Sequence, residues 1–157
     1  MHALIVLAHP EAKSFNAQLK DVAAATLESQ GWTVEVSDLY AQGFDPAEGP
    51  RHFPAPKRPE WFGAQTEQRH AAETGATARE VQGEIDKLAR ADFVLFQYPI
   101  WWFSMPAMLK GWIDRVFTFG GVYTGKNRYE HGRFLGKRAM VSVTAGAPGP
   151  TYDYNGR

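Results

Sequence analysis

FVLFQYPIWWFSMPAMLKGWIDRVF, residues 93–117, reads as a strand, a loop and a helix in succession. Phe93-Val94-Leu95-Phe96 is a continuous apolar run, the pattern of a strand covered on both faces in a parallel sheet. Tyr98 to Ser104 is an aromatic turn. Pro106 suits the first turn of a helix, because the N–H it lacks has no partner there anyway. That helix runs to about Phe117, and Gly120-Gly121 ends the segment. The fold then depends on whether the rest of the chain repeats the unit.

It does. Ala3 to Ala8 is a second continuous apolar run. Ser14, a plausible N-cap, opens a helical pattern with Phe15, Leu19, Val22, Ala23 and Leu27, and Gly31 is its stop. Trp32 to Ser37 alternates apolar and polar, as at a sheet edge with one wet face. Val81, Ile85, Leu88 and Ala89 recur on one face of a helix over 78–90. Residues 122–137 are loop-like, and Ala139 to Val143 is a fourth strand. Between 41 and 77 five prolines break the pattern, so this stretch either wraps a surface or hides a short helix, best placed at Gln65–Ala72. The order β-α-β-loop-α-β-α-β predicts one α/β domain over 1–157, a doubly wound parallel sheet with helices on both faces.

Bulk composition narrows the function. Seventeen basic residues balance seventeen acidic ones, which removes the net-charge argument for a nucleic-acid or anionic-membrane partner. There is no cysteine, so a disulfide, a thiolate metal site and a cysteine nucleophile are excluded. The first apolar run is too short for a signal peptide or a membrane span; a cytoplasmic protein is expected. The five histidines show no metal-ligand spacing with acids, and no G-x-S-x-G is present.

Ligands of such sheets bind beyond the carboxyl ends of the strands, which selects 9–18, 97–105 and 144–152. His9 to Asn16 joins a strand to a helix N-terminus, where free amides and the helix dipole favour an anion; an ordinary loop capped by Ser14 is the alternative. Neither dinucleotide nor P-loop glycine pattern follows the first strand, so Asp38 is read as a strand-end carboxylate. Trp101-Trp102-Phe103 favours a wall for a flat conjugated ligand over core packing. Thr144 to Pro150 is a small-residue loop that lets backbone N–H groups approach a ligand, and Tyr152 follows with a phenol. Lys110 belongs to a solvated face.

FQYPIWWFSMPAMLKGWIDRVFTFGGVY (96–123) resembles the signature stretch of the NAD(P)H dehydrogenase (quinone) family. VLAHPEAKSFNAQL and GKRAMVSVTAGAPGPTYDYNG resemble its flanking segments in the same order. The resemblance implies a flavodoxin-like fold, a homodimer, and non-covalent FAD in preference to FMN. His9, Ser14, Phe15, Asn16 and Gln18 would meet the pyrophosphate and adenosine. Pro99, Ile100, Trp101, Trp102 and Phe103 would lie along the isoalloxazine, with Thr144, Ala145, Gly146 and Ala147 at its polar edge. Trp102, Tyr123 and Tyr152 would face a pocket shared by nicotinamide and quinone, with Tyr152 steadying developing charge. The implied reaction is ping-pong: NADPH or NADH delivers a hydride, leaves, and a quinone takes two electrons in its place.

The family pattern continues past Arg157 with a histidine that cooperates with the tyrosine, and with a fifth strand. The chain is therefore expected to be an incomplete domain whose fourth strand is a bare edge. Ala145 and Ala147 stand where a Thr-Gly pair is common, one side-chain donor fewer. The same aromatic-Pro-Leu-Lys-Gly-Trp pattern occurs in ancillary subunits of potassium efflux systems. A flavin-binding regulatory subunit and an inactive fragment are thus the alternatives to the reductase.

Overall fold

The N-terminal apolar run forms β1 (His2–Leu7), in which Ala3 to Val6 are fully buried. The computed structural model describes residues 1–146 and Gly149. On one side β1 pairs in parallel with β2 (Thr33–Asp38), and on the other with β3 (Phe93–Pro99). β3 pairs in parallel with β4 (Arg138–Thr144), which places the strands in the order β2-β1-β3-β4. The chain leaves β1 in one direction and returns for β3 on the other side, and the crevice opens at that reversal.

Helices cover both faces. α1 (Phe15–Ser29) packs on β1, β2 and β3. α2 (Ala64–Thr74) lies within the proline-rich stretch, one residue before and two beyond the expected Gln65–Ala72. α3 (Arg79–Arg90) and α4 (Ala107–Val116) pack together. With Leu4, Val6 and Val94 they enclose a core built around Val81, Ile85, Leu88, Leu109 and Trp112. The Trp112 ring is fully buried, edge-on to Phe96 and Phe117.

Two details depart from the hydropathy pattern. Ala89 is exposed, and Glu84 takes the buried place on α3. Its carboxylate accepts from Ser37 Oγ at 2.7 Å, Trp112 Nε1 at 2.9 Å and Lys87 Nζ at 2.7 Å. A buried carboxylate is tolerated where donors replace water. β2 is an edge strand as expected, yet its buried residue is Ser37, held by Glu84, while Val36 is exposed. β4, which among the described residues pairs with β3 alone, leaves Met140, Val141 and Val143 exposed.

The proline-rich stretch wraps the α4 side and is pinned there. The buried Arg115 donates to the Asp45 carbonyl at 2.7 Å, Glu80 Oε1 at 2.8 Å and His52 Nδ1 at 2.9 Å. The buried Glu67 carboxylate accepts from the Lys57 and Arg58 amides. Gly111 has no side chain where Pro46 crosses α4. No helix among the described residues is long and apolar enough to cross a membrane.

Candidate functional site

Beyond the carboxyl ends of β1, β3 and β4 three loops converge. The first begins at Ala8, whose amide bonds the Gln97 carbonyl at 3.0 Å. Glu11 then turns the chain. Its amide reaches His9 Nδ1 at 3.0 Å, its carboxylate accepts from the Lys13 amide at 2.8 Å, and its carbonyl accepts from the Ser14 amide at 3.1 Å. Ser14 caps α1 as expected, accepting from the Ala17 amide at 3.1 Å. The Phe15 and Asn16 amides meet no acceptor among the described residues. They point a half-positive helix end at the crevice.

The second loop is unusual in its backbone. Trp101 and Ser104 exchange both backbone hydrogen bonds, at 3.0 and 3.1 Å, closing a two-residue turn. Its central residues, Trp102 and Phe103, have φ of 51° and 59°. Positive φ at both central positions is the type I′ signature, normally met by Asn-Gly. Two aromatics held in the left-handed region store about 1–3 kcal/mol each, and such strain clusters where a ligand is gripped. Trp102 is 95% exposed and Phe103 73%, so the turn presents two flat faces outward. Trp101 sits 6.4 Å from His9, ring to ring.

A buried polar relay ties the loops together. Gln97 Nε2 donates to Asn16 Oδ1 at 2.8 Å, and Asn16 Nδ2 donates to Thr144 Oγ1 at 2.8 Å. The Ile100 amide donates to the Thr144 carbonyl at 2.8 Å. Asn16 is 3% exposed, and its side chain is spent on holding the loops in register. Gln97 opens the selected 97–105 segment, but the sequence reading assigns it no role. Its signal there is a lone polar residue closing the apolar run of β3.

Other candidates lie as follows. Gln18 is exposed and donates to the Lys13 carbonyl at 3.3 Å. Ala145 and Gly146 are exposed at the end of β4. Tyr123 keeps different company, with its ring 5.5 Å from that of Phe119 and its hydroxyl 3.5 Å from Gln65 Nε2. Ala147 and Tyr152 lie outside the described residues. Asp38 is a strand-end carboxylate, accepting from the Ala41 amide at 3.1 Å. Lys110 is on a solvated face, paired with Asp114. Among the described residues no cluster of His, Cys, Asp or Glu is placed to hold a metal ion.

The features fit a flavin nucleotide: first-turn amides without acceptors for its phosphate, and an outward aromatic turn for a flat ring. A family model described as a flavodoxin-like fold matches residues 1–157. The chain is 41% identical over 155 residues to NAD(P)H dehydrogenase (quinone) 1 of Rattus norvegicus, covering 98% of this chain and 57% of that protein. It is 42% identical over 154 residues to ribosyldihydronicotinamide dehydrogenase (quinone) of Homo sapiens, covering 98% and 67%. A crystal structure of a candidate quinone reductase from Klebsiella pneumoniae superposes with a TM-score of 0.91 at 40% identity, covering 99% of this chain and 63% of that one. The chain thus spans little more than half the length of the rat relative.

Proposed function

The chain belongs to the NAD(P)H dehydrogenase (quinone) family, with its flavodoxin-like fold, and on that premise we propose that it serves as a flavin-dependent NAD(P)H:quinone oxidoreductase. Bound flavin, FAD in this reading, supplies the chemistry of carrying two electrons from NAD(P)H to a quinone. The protein's part is position and electrostatics. The amides of Phe15 and Asn16, with Ser14 and His9 beside them, hold a phosphate against the α1 dipole. Gln97, Asn16 and Thr144 keep the three loops from moving apart, so reacting partners meet at fixed distance. Pro99 to Phe103 would wall the ring, with Thr144, Ala145 and Gly146 at its polar edge. Trp102 and Tyr123 line the pocket that nicotinamide and quinone take in turn. Tyr152 donates its phenol proton toward charge developing on the oxygen of the acceptor. The active unit is a homodimer.

The observation that carries this reading is the pairing of α1 amides that meet no acceptor among the described residues with an outward, left-handed aromatic turn on neighbouring strand ends. The test is the visible spectrum of the purified chain, reconstituted with FAD and then with FMN, before and after anaerobic NADPH. Flavin bands that bleach, followed by recovery on adding menadione, are expected. A chain that takes up neither flavin overturns the site assignment; one that binds flavin without bleaching leaves the regulatory-subunit reading in its place.

A further inference from the structure

Charge is unevenly placed in this neutral chain. Lys126, Arg128, Arg133, Lys137 and Arg138 are five of its seventeen basic residues, and Glu130 is the one acid among them. Residues 126–138 therefore carry +4 and the remainder −4. Elsewhere cations are commonly paired, as in Arg51–Asp45, Lys87–Glu84, Arg90–Glu35 and Arg115–Glu80. None of these five meets a carboxylate among the described residues. Lys137 is occupied by the carbonyls of Ala89 and Ala91, and Arg138 lies over the Trp32 ring. Arg133 gives one N–H to the Gly121 carbonyl at 2.7 Å, and Arg128 stacks 5.4 Å from the Tyr129 ring.

Arg128 and Arg133 line one open groove of 270 Å³ whose floor and walls include Tyr123, Tyr129 and Phe134. Tyr129 has φ +52° and is 77% exposed, so a strained backbone holds its ring out beside the guanidiniums. Flat aromatic walls with two arginines at the rim suit a purine bearing phosphate: the ring stacks, and a guanidinium fork matches a phosphate bidentately. Tyr123, which also borders this groove, is the residue assigned above to the nicotinamide side.

We propose that this groove binds the adenosine end of the dinucleotide and that Arg128 and Arg133 take its 2′-phosphate, so that the protein prefers NADPH to NADH. The choice of ligand rests on the reductase reading; the groove and its charges do not. Adenosine 5′-monophosphate lacks the phosphate that the two arginines take, whereas adenosine 2′,5′-bisphosphate carries it.

The test is calorimetric titration of the purified chain, at low and moderate salt, with adenosine 2′,5′-bisphosphate and with adenosine 5′-monophosphate. The bisphosphate is expected to bind about tenfold or more tightly, one charge-assisted phosphate contact, with that margin shrinking as salt rises. In R128Q/R133Q the margin should vanish while monophosphate affinity is kept. Should the double variant not fold, R128Q alone decides, since the Arg128 side chain makes no hydrogen bond within the described residues and its backbone bond to the His131 amide is kept. Equal affinity for the two nucleotides, a margin that survives R128Q/R133Q, or capture by phosphatidylserine vesicles with no nucleotide binding overturns the proposal. Turnover of menadione separates the two readings. Activity with equal KM for NADPH and NADH sinks this inference alone, and no activity with either sinks the reductase while the titration still stands.

Discussion

Replacing Gly111 by alanine sets two effects of opposite sign against each other. Gly111 sits inside α4, where alanine is the better helix former by about 0.8–1.0 kcal/mol. A Cβ at this position would stand 2.0 Å from the Pro46 carbonyl oxygen, 2.4 Å from its Cβ and 2.5 Å from its Cα. Ordinary contact begins at 3.4 Å, so the Pro46 backbone has to retreat by about 1.4 Å, the difference between 3.4 and 2.0 Å. Forced overpacking costs about 1–3 kcal/mol. Pro46 follows Asp45, whose carbonyl receives the Arg115 guanidinium at 2.7 Å, and losing a bond to a buried charged group adds about 1.5–3 kcal/mol. With the propensity gain subtracted, G111A should be less stable by about 1.5–5 kcal/mol, a fall in Tm of about 3–20 °C for a chain of this size. Gly83, inside α3, is the control, because an added Cβ there meets nothing within 4 Å. G83A should be more stable by about 0.5–1 kcal/mol. Urea unfolding followed by tryptophan fluorescence reads both. A G111A chain as stable as its parent would refute the idea that the Pro46 crossing requires a glycine.

Three further outcomes follow from the same physics. Gln97→Leu leaves the buried Asn16 Oδ1 without its donor and should cost about 1–3 kcal/mol in urea unfolding, with flavin retention falling alongside; unchanged stability would mean that the relay does not hold the loops. Trp102→Asn gives up almost no burial and relieves a left-handed aromatic, so the flavin-free protein should gain about 0.5–1 kcal/mol while flavin uptake weakens; a loss of thermal stability contradicts this. For Glu35, partial burial pushes the carboxyl up, but hydrogen bonds and attraction from Arg90 and His2 outweigh it and hold the group below its ordinary 4.5. A lowered folded-state value means stability that is complete above 4.5 and lost as pH falls through the folded-state value beneath it. The urea midpoint should therefore drop on acidification below that point, and R90Q should flatten the drop; equal slopes would place the acid sensitivity elsewhere.

Much of this architecture was legible in one dimension because its causes are local. A run such as Ala3–Ala8 can be buried on both faces only within a covered sheet, and Ser14 and Gly31 end α1 through groups within a few residues of themselves. The alternation of strands and helices then predicts parallel order and the end of the sheet where loops converge. The same reasoning selected Trp101–Phe103 as a group, since three adjacent aromatics in a loop ask for a ligand.

Tertiary structure decided what depends on partners far apart in the chain. That Glu84 is buried and Ala89 is not follows from donors on Ser37 and Trp112, which hydropathy cannot see. Asn16 reads as a ligand contact in sequence, but Gln97 and Thr144, 81 and 128 residues away, turn its side chain into a strut. The left-handed turn at Trp102-Phe103 has no glycine or asparagine to announce it; it forms because the strand on one side and Pro106 on the other hold both ends. The clustering of cations at 126–138 was countable from the letters. Only the folded chain showed that no carboxylate among the described residues answers them and that two of them border an aromatic groove. Local propensity is written residue by residue, whereas the satisfaction of charges and buried polar atoms is settled only when distant segments meet.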